Sequence, residues 1–257
     1  MSIYQALAFM ALAGLAAYVQ TLTGFAFGLI LMGAVGLTSI MPLQDAAVVT
    51  SVLTLVNASI MISKGWSEVL KKPLMLVLLS SLPSLVIGYL LIEHLAANGV
   101  VFLRILLGGI IIVSSLQLVM PPRREERQAS DRSFVGFGVI SGLMSGLFST
   151  SGPPLVYHFY RQPLSLVAIR ETLVAIFGVN ALVRLGVVMA DGTFPDPHYW
   201  PALFAAVPVM AGTQLARRLP PPISAKYLRF IVFILLCASG ASLALPALPA
   251  ALELIRS

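Results

Sequence analysis

The stretch FSTSGPPLVYHFYRQP, residues 148–163, decides how this chain folds. It interrupts a long apolar run with Ser149-Thr150-Ser151-Gly152-Pro153-Pro154. Proline removes a backbone donor and clashes with the preceding turn, so a helix entering from the left must stop before it. A stop of this kind at membrane depth leaves backbone groups that lipid cannot satisfy, and it is tolerated only where protein or a water-filled cavity surrounds it. The break therefore predicts an interior feature, facing other helices.

The rest of the chain makes a membrane the relevant solvent. Its 257 residues are 58% hydrophobic and 10% charged, with a mean hydropathy of +0.96. Soluble domains carry about 25% charge. Runs of about 20 apolar residues are long enough to cross the hydrocarbon core. They are expected at 43–63, 74–92, 99–119, 166–190, 200–216 and 224–245, and the uncharged stretch from Tyr4 to Met41 is longer still. The first run lacks a basic leader and a cleavage site, so no cleaved signal peptide is expected. Cys237 is the sole cysteine, which excludes an intrachain disulfide and thiolate metal clusters.

Charge placement predicts topology. Lys64, Lys71 and Lys72 form one basic group, and Arg123, Arg124, Arg127 and Arg132 form a second. Arg161 with Arg170, and Arg217, Arg218, Lys226 and Arg229, complete the set. The loops expected around Glu93-His94 and at 191–198 contain no Lys or Arg. Under the positive-inside rule the basic groups are cytoplasmic and these two loops external. Reaching external Asp191 from cytoplasmic Arg132 takes an odd number of crossings, so 134–163 must be a hairpin, re-entrant or fully spanning, that returns before 166–190 crosses. By the same parity 4–41 is a hairpin entered from outside, and both termini are external.

The halves also resemble each other. Gly14 to Gly24 aligns with Gly142 to Gly152, Pro83 with Pro208, LRIL at 103 with LRFI at 228, and Asn57 with Asn180. The expected fold is all-α and membrane-integral. It has two inverted repeats, 1–120 and 134–257, joined by a cytoplasmic linker at 121–133, each repeat a broken hairpin followed by three spans. Many secondary transporters have this plan, with the substrate near the midplane where broken helices meet.

QTLTGFAFG, residues 20–28, is the counterpart of the opening stretch. Gly24 and Gly152 permit backbone conformations closed to other residues, and Pro153 suits the first turn of a restarted helix. A restart aims free amides and a positive dipole end into the protein. Gln20, Thr21, Thr23 and Phe25 in the first break, with Ser149, Thr150 and Ser151 in the second, complete an uncharged anion site. The alternative is a pair of hydroxyl-stabilised kinks.

Two segments carry a family resemblance. GLMSGLFSTSGPPLVYHFYRQPLSLVAIRETLVAIFGVNALVRL and YVQTLTGFAFGLILMGAVGLTSIMPLQDAAVVTSVLTLVNASI resemble the second- and first-half signatures of the TauE/SafE sulfite-exporter family. The resemblance implies transport of sulfur oxyanions or small organic sulfonates across the bacterial inner membrane, coupled to the proton gradient.

Several polar residues lie within apolar runs. Asn57 and Asn180 must find partners and are candidates to contact the anion or brace the breaks. Arg184, inside 166–190, is a substrate or gating candidate, with snorkelling to the outer surface as the alternative. His158 is the candidate for a coupling proton, against a neutral histidine near the cytoplasmic surface. No cofactor, metal or nucleic-acid partner is implied; the expected partners are a small anion and the bilayer, with a homodimer left open. An enzyme is not expected, because the three histidines are scattered and HExxH, GxSxG and GxxxxGK[ST] are all missing. A passive anion channel and a carrier of small carboxylates are the remaining alternatives.

Overall fold

The computed structural model describes residues 3–119, 125–219 and 225–256. Ten α-helices are seen among them: α1 (Ile3–Thr23), α2 (Phe27–Thr38), α3 (Leu43–Gly65), α4 (Lys71–Asn98), α5 (Val100–Val119), α6 (Asp131–Phe148), α7 (Gly152–Tyr160), α8 (Leu166–Asp191), α9 (Ala206–Arg218) and α10 (Ala225–Arg256). Two 3-10 segments, Trp66–Glu68 and Pro197–Ala205, complete the described secondary structure, which contains no strand. An all-helical answer follows from the solvent, since helices satisfy their backbone groups within each segment. Four segments, Ile3–Thr23, Leu43–Glu68, Lys71–Ile92 and Leu166–Asp191, are long and apolar enough to cross a bilayer. Large apolar side chains such as Leu79, Leu90, Phe204 and Val207 remain exposed on the outside, as a lipid-facing surface requires.

Local chemistry sets the helix ends. The Ser165 hydroxyl accepts from the Ala168 amide at 3.1 Å and caps the start of α8. Gly192, with φ 74°, ends α8 by returning its amide to Val188 O at 3.0 Å. Three expectations need correction. Residues 200–216 are not one α-helix: 197–205, which carries Pro197 and Pro201, is 3-10 helix and α9 begins at Ala206. Pro246 and Pro249 do not end the last helix at 245, since α10 continues to Arg256. Glu93 and His94 fall within α4 and not in a loop. Of the expected linker, 121–124 lies outside the described residues. The following segment, 125–130, docks on the turn after α7 through Glu125 N to Arg161 O at 2.7 Å and Ala129 N to Gln162 Oε1 at 2.7 Å. An Arg161–Glu125 ion pair at 2.8 Å lies beside them.

Helices α3 and α8 pack on each other and have the largest buried shares among the long spans. Around them α1 packs on α9, α4 on α6, and α5 on α10. Small residues allow these approaches: any side chain at Gly142 or Gly146 would strike the α4 backbone at Ser81 and Leu85, and Gly212 of α9 sits on Gly14 of α1. The short helices α2 and α7 lean inward, α2 on α3 and α10, α7 on α8 and α5.

Candidate functional site

The two interruptions meet. Gly24 ends α1 in the left-handed region, φ 80°, with its amide returned to Gln20 O at 2.6 Å. Ala26 is also left-handed, φ 86°, and α2 starts one residue later. At the second break the reversal falls on Ser149, φ 53°, whose amide bonds Ser145 O at 2.9 Å. Gly152 lies inside the first turn of α7 with no positive φ. The expectation that Gly152 supplies the special conformation is therefore corrected. The helix-ending residue is three positions earlier, at Ser149, a non-glycine left-handed residue that stores about 1–2 kcal/mol of strain.

Gly28, in the first turn of α2, is the point of closest approach. A Cβ there would lie 3.0 Å from Ser149 O and 3.2 Å from Thr150 Cβ. At Gly152 a Cβ would find only Phe25, at 3.9 Å. Between the breaks lies a small cleft, partly open to the outside. Gln20, Ala26, Phe27 and Gly28 line it from the first break, and Ser145, Ser149, Thr150, Ser151 and Gly152 from the second. Thr54 of α3 and Phe177 and Ala181 of α8 complete the wall.

The donors are unevenly spent. The first turn of α2 offers amides that have no intrahelical acceptor, of which Phe27 N is taken by Gln20 Oε1 at 3.2 Å. Pro153 and Pro154 contribute no amide to the α7 turn. Thr21 and Thr23 were expected to add donors, but each is committed to its own helix: Thr21 donates to Ala17 O at 2.7 Å and Thr23 to Val19 O at 2.8 Å. The hydroxyls of Thr54, Ser145 and Thr150 behave differently. They line the cleft and make no hydrogen bond to another group among the described residues. Helical Ser and Thr commonly bond back to the preceding turn, so unspent hydroxyls converging on one small space are donors awaiting an acceptor.

Asn57 and Asn180 are buried and brace the breaks from outside the cleft. Gln20 Nε2 donates to Asn57 Oδ1 at 2.9 Å, and Asn57 Nδ2 donates to Thr213 Oγ1 of α9 at 2.6 Å. Correspondingly, the Ser81 hydroxyl of α4 donates to Asn180 Oδ1 at 3.1 Å, and Asn180 Nδ2 donates to Ser151 Oγ at 3.3 Å. Each asparagine ties a break to the helix that packs across from it.

Arg184 does not snorkel. It is 1% exposed, with Nε donating to Gly146 O at 3.3 Å and Nη1 to Ser51 Oγ at 3.5 Å, its guanidinium 5.7 Å from the Tyr89 ring centre. Ser51 Oγ in turn meets Ser149 Oγ at 2.7 Å, so two hydroxyls, Ser51 and the cleft-lining Ser149, stand between the cation and the cleft. Among the described residues no carboxylate pairs with it. His158 is clamped between the rings of Phe134 and Phe137, each centroid 4.5 Å away, with Nε2 unpartnered, and it does not line the cleft. Among the described residues no group of three His, Cys, Asp or Glu could hold a metal.

Of the residues expected to bind substrate, Gln20, Ser149, Thr150, Ser151 and Gly152 line this cleft, whereas Thr21, Thr23, Gly24, Phe25, Pro153, Asn57, Asn180 and Arg184 do not. Sequence reasoning missed Gly28, Ser51, Thr54, Ser145 and Phe177. A usable signal existed for two of these, since Thr54 and Phe177 each sit one helical turn before an asparagine already singled out.

The family profile described as "Sulfite exporter TauE/SafE" matches residues 9–243. The chain is 35% identical over 240 residues to a protein of Cupriavidus necator named "Probable sulfite/organosulfonate exporter TauE", covering 93% of this chain and 94% of that one. It is 30% identical over 113 residues to the Comamonas testosteroni protein named "Probable inner membrane transporter protein TsaS", covering 42% and 45% of the two chains.

Proposed function

Because the chain belongs to the TauE/SafE family of membrane exporters, we propose that it is a secondary transporter that carries a small sulfur oxyanion or organosulfonate and binds it in the cleft between the two helix breaks. The observation that carries this reading is the set of unspent donors there. The Thr54, Ser145 and Thr150 hydroxyls line one space at the start of α2, and Arg184 reaches its wall through Ser51 and Ser149. Such a site favours an anion and offers little to a cation. For a coupling proton the candidate is His158, whose Nε2 has no partner.

The packing supports an inverted repeat with alternating access. Exchanging α1–α5 for α6–α10 in order turns the α1–α9 contact into α6–α4, turns α2–α10 into α7–α5, and maps α3–α8 and α5–α10 onto themselves. Each hairpin packs on the opposite half, so the bodies that rock are mixed: α1 moves with α9, and α4 with α6. Positive-inside placement sets the membrane orientation. After Cys237 is replaced, a cysteine at Gly192 is expected to label from outside and one at Ala129 only from inside; the reverse pattern would overturn the orientation.

Counterflow decides carrier against channel. Proteoliposomes preloaded with unlabelled sulfite or ethanesulfonate are expected to accumulate the labelled anion transiently above equilibrium. A pore gives no overshoot. Acetate or lactate in the same assay separates a carboxylate carrier, which would show counterflow with those anions and none with sulfur anions.

A further inference from the structure

We propose that Phe177 determines specificity in this cleft, giving it an apolar wall that selects anions bearing a short carbon substituent over bare oxyanions. The inference rests on the anion-site reading above and asks what kind of anion that site prefers. The offset that carries Asn57 onto Asn180 also carries Thr54 onto Phe177 and Ala58 onto Ala181. Thr54 and Phe177 both line the cleft from the two central helices, one turn before the bracing asparagines. Two such positions in a site built from repeats begin chemically alike. Here one holds an unspent hydroxyl and the other a phenyl ring. Phe27 and Ala181 add apolar lining, and Ser145 and Thr150 add hydroxyls. The lining is therefore mixed: hydroxyls that suit oxygens, and a ring that gains nothing from them.

A tetrahedral oxyanion such as sulfate presents oxygen in every direction, and those turned to Phe177 would lose water without recovering a hydrogen bond. An alkanesulfonate presents three oxygens on one end and carbon on the other, matching both kinds of lining. Apolar burial then adds to binding with each methylene covered. Phe177 is 7% exposed and Thr54 6% exposed, so both walls are fixed by packing.

The test measures dissociation constants of sulfate and ethanesulfonate on the purified full-length protein, by ligand-induced thermal stabilisation, and compares their ratio between variants. Taking the ratio cancels any general loss of affinity. Phe177→Thr is expected to shift the ratio toward sulfate by about tenfold, the amount that two buried methylenes supply. Thr54→Val, which removes a hydroxyl at constant shape, is expected to shift it the opposite way. Phe177→Leu keeps an apolar wall and serves if the threonine variant fails to fold; its ratio stays within about threefold of wild type. An unchanged ratio in Phe177→Thr and Thr54→Val overturns the specificity assignment while leaving the anion site standing. Failure of the wild-type protein to bind either anion overturns the site itself, and the inference with it.

Discussion

Gly28→Val is expected to abolish transport while the protein still inserts into the membrane. The added Cβ would stand 3.0 Å from Ser149 O and 3.2 Å from Thr150 Cβ, and the two γ-methyls of valine have only the cleft to enter. Overpacking of this kind costs about 1–3 kcal/mol, and at the upper end roughly a hundredfold in the population of a competent site. Whether the breaks spread apart or the methyls occupy the cleft, the anion loses its place. Initial uptake rates in inverted vesicles, normalised to protein by immunoblot, should fall by up to about a hundredfold. Gly109→Ala is the control, because a Cβ there meets nothing within 4 Å. Uptake at the wild-type rate in Gly28→Val would mean that the anion passes elsewhere.

Replacing Arg184 should separate stability from function. Arg184→Met removes a cation that is 1% exposed and has no carboxylate partner among the described residues. Burying an uncompensated charge costs several kcal/mol, which outweighs the hydrogen bonds to Gly146 O and Ser51 Oγ at 3.3 and 3.5 Å. The melting temperature of the ligand-free variant should therefore not fall below that of wild type. Anion affinity, by contrast, should drop by about tenfold, the low end of a charge-assisted interaction of about 1.5–3 kcal/mol, because Ser51 and Ser149 stand between the guanidinium and the cleft. Arg184→Lys should recover part of that loss, since charge is kept while the fork to Gly146 and Ser51 is not. A markedly lower melting temperature with unchanged anion affinity would show Arg184 to be a structural strut.

Much of this was legible before any coordinates. Apolar runs and low charge required a helical membrane fold, and Gly24 and the Pro153-Pro154 pair marked where helices stop. What could not be read was where the strain falls. Glycine at 152 invites the inference that it holds the unusual backbone, yet a helix ending at Phe148 needs its left-handed residue next, and Ser149 takes it. Hydroxyl counting had the same weakness. Thr21, Thr54 and Thr150 are alike as letters, but only the fold reveals which of them bonds its own helix and which faces the cleft. The difference at 200–216 is of another kind: hydropathy carries no signal of helix winding, and this apolar run is 3-10 helix followed by α9.

The lone guanidinium behind the cleft has an electrical consequence. A monovalent anion bound in the cleft would offset the charge of Arg184, two hydroxyls away, so membrane voltage would exert little net force on the occupied site as access switches sides. The vacant site keeps its positive charge, and its return is the step that the potential can push or hold, by up to about 2.3 kcal/mol per 100 mV if the charge crosses the whole field. Turnover would then respond to voltage chiefly when substrate is scarce on the side where the return begins.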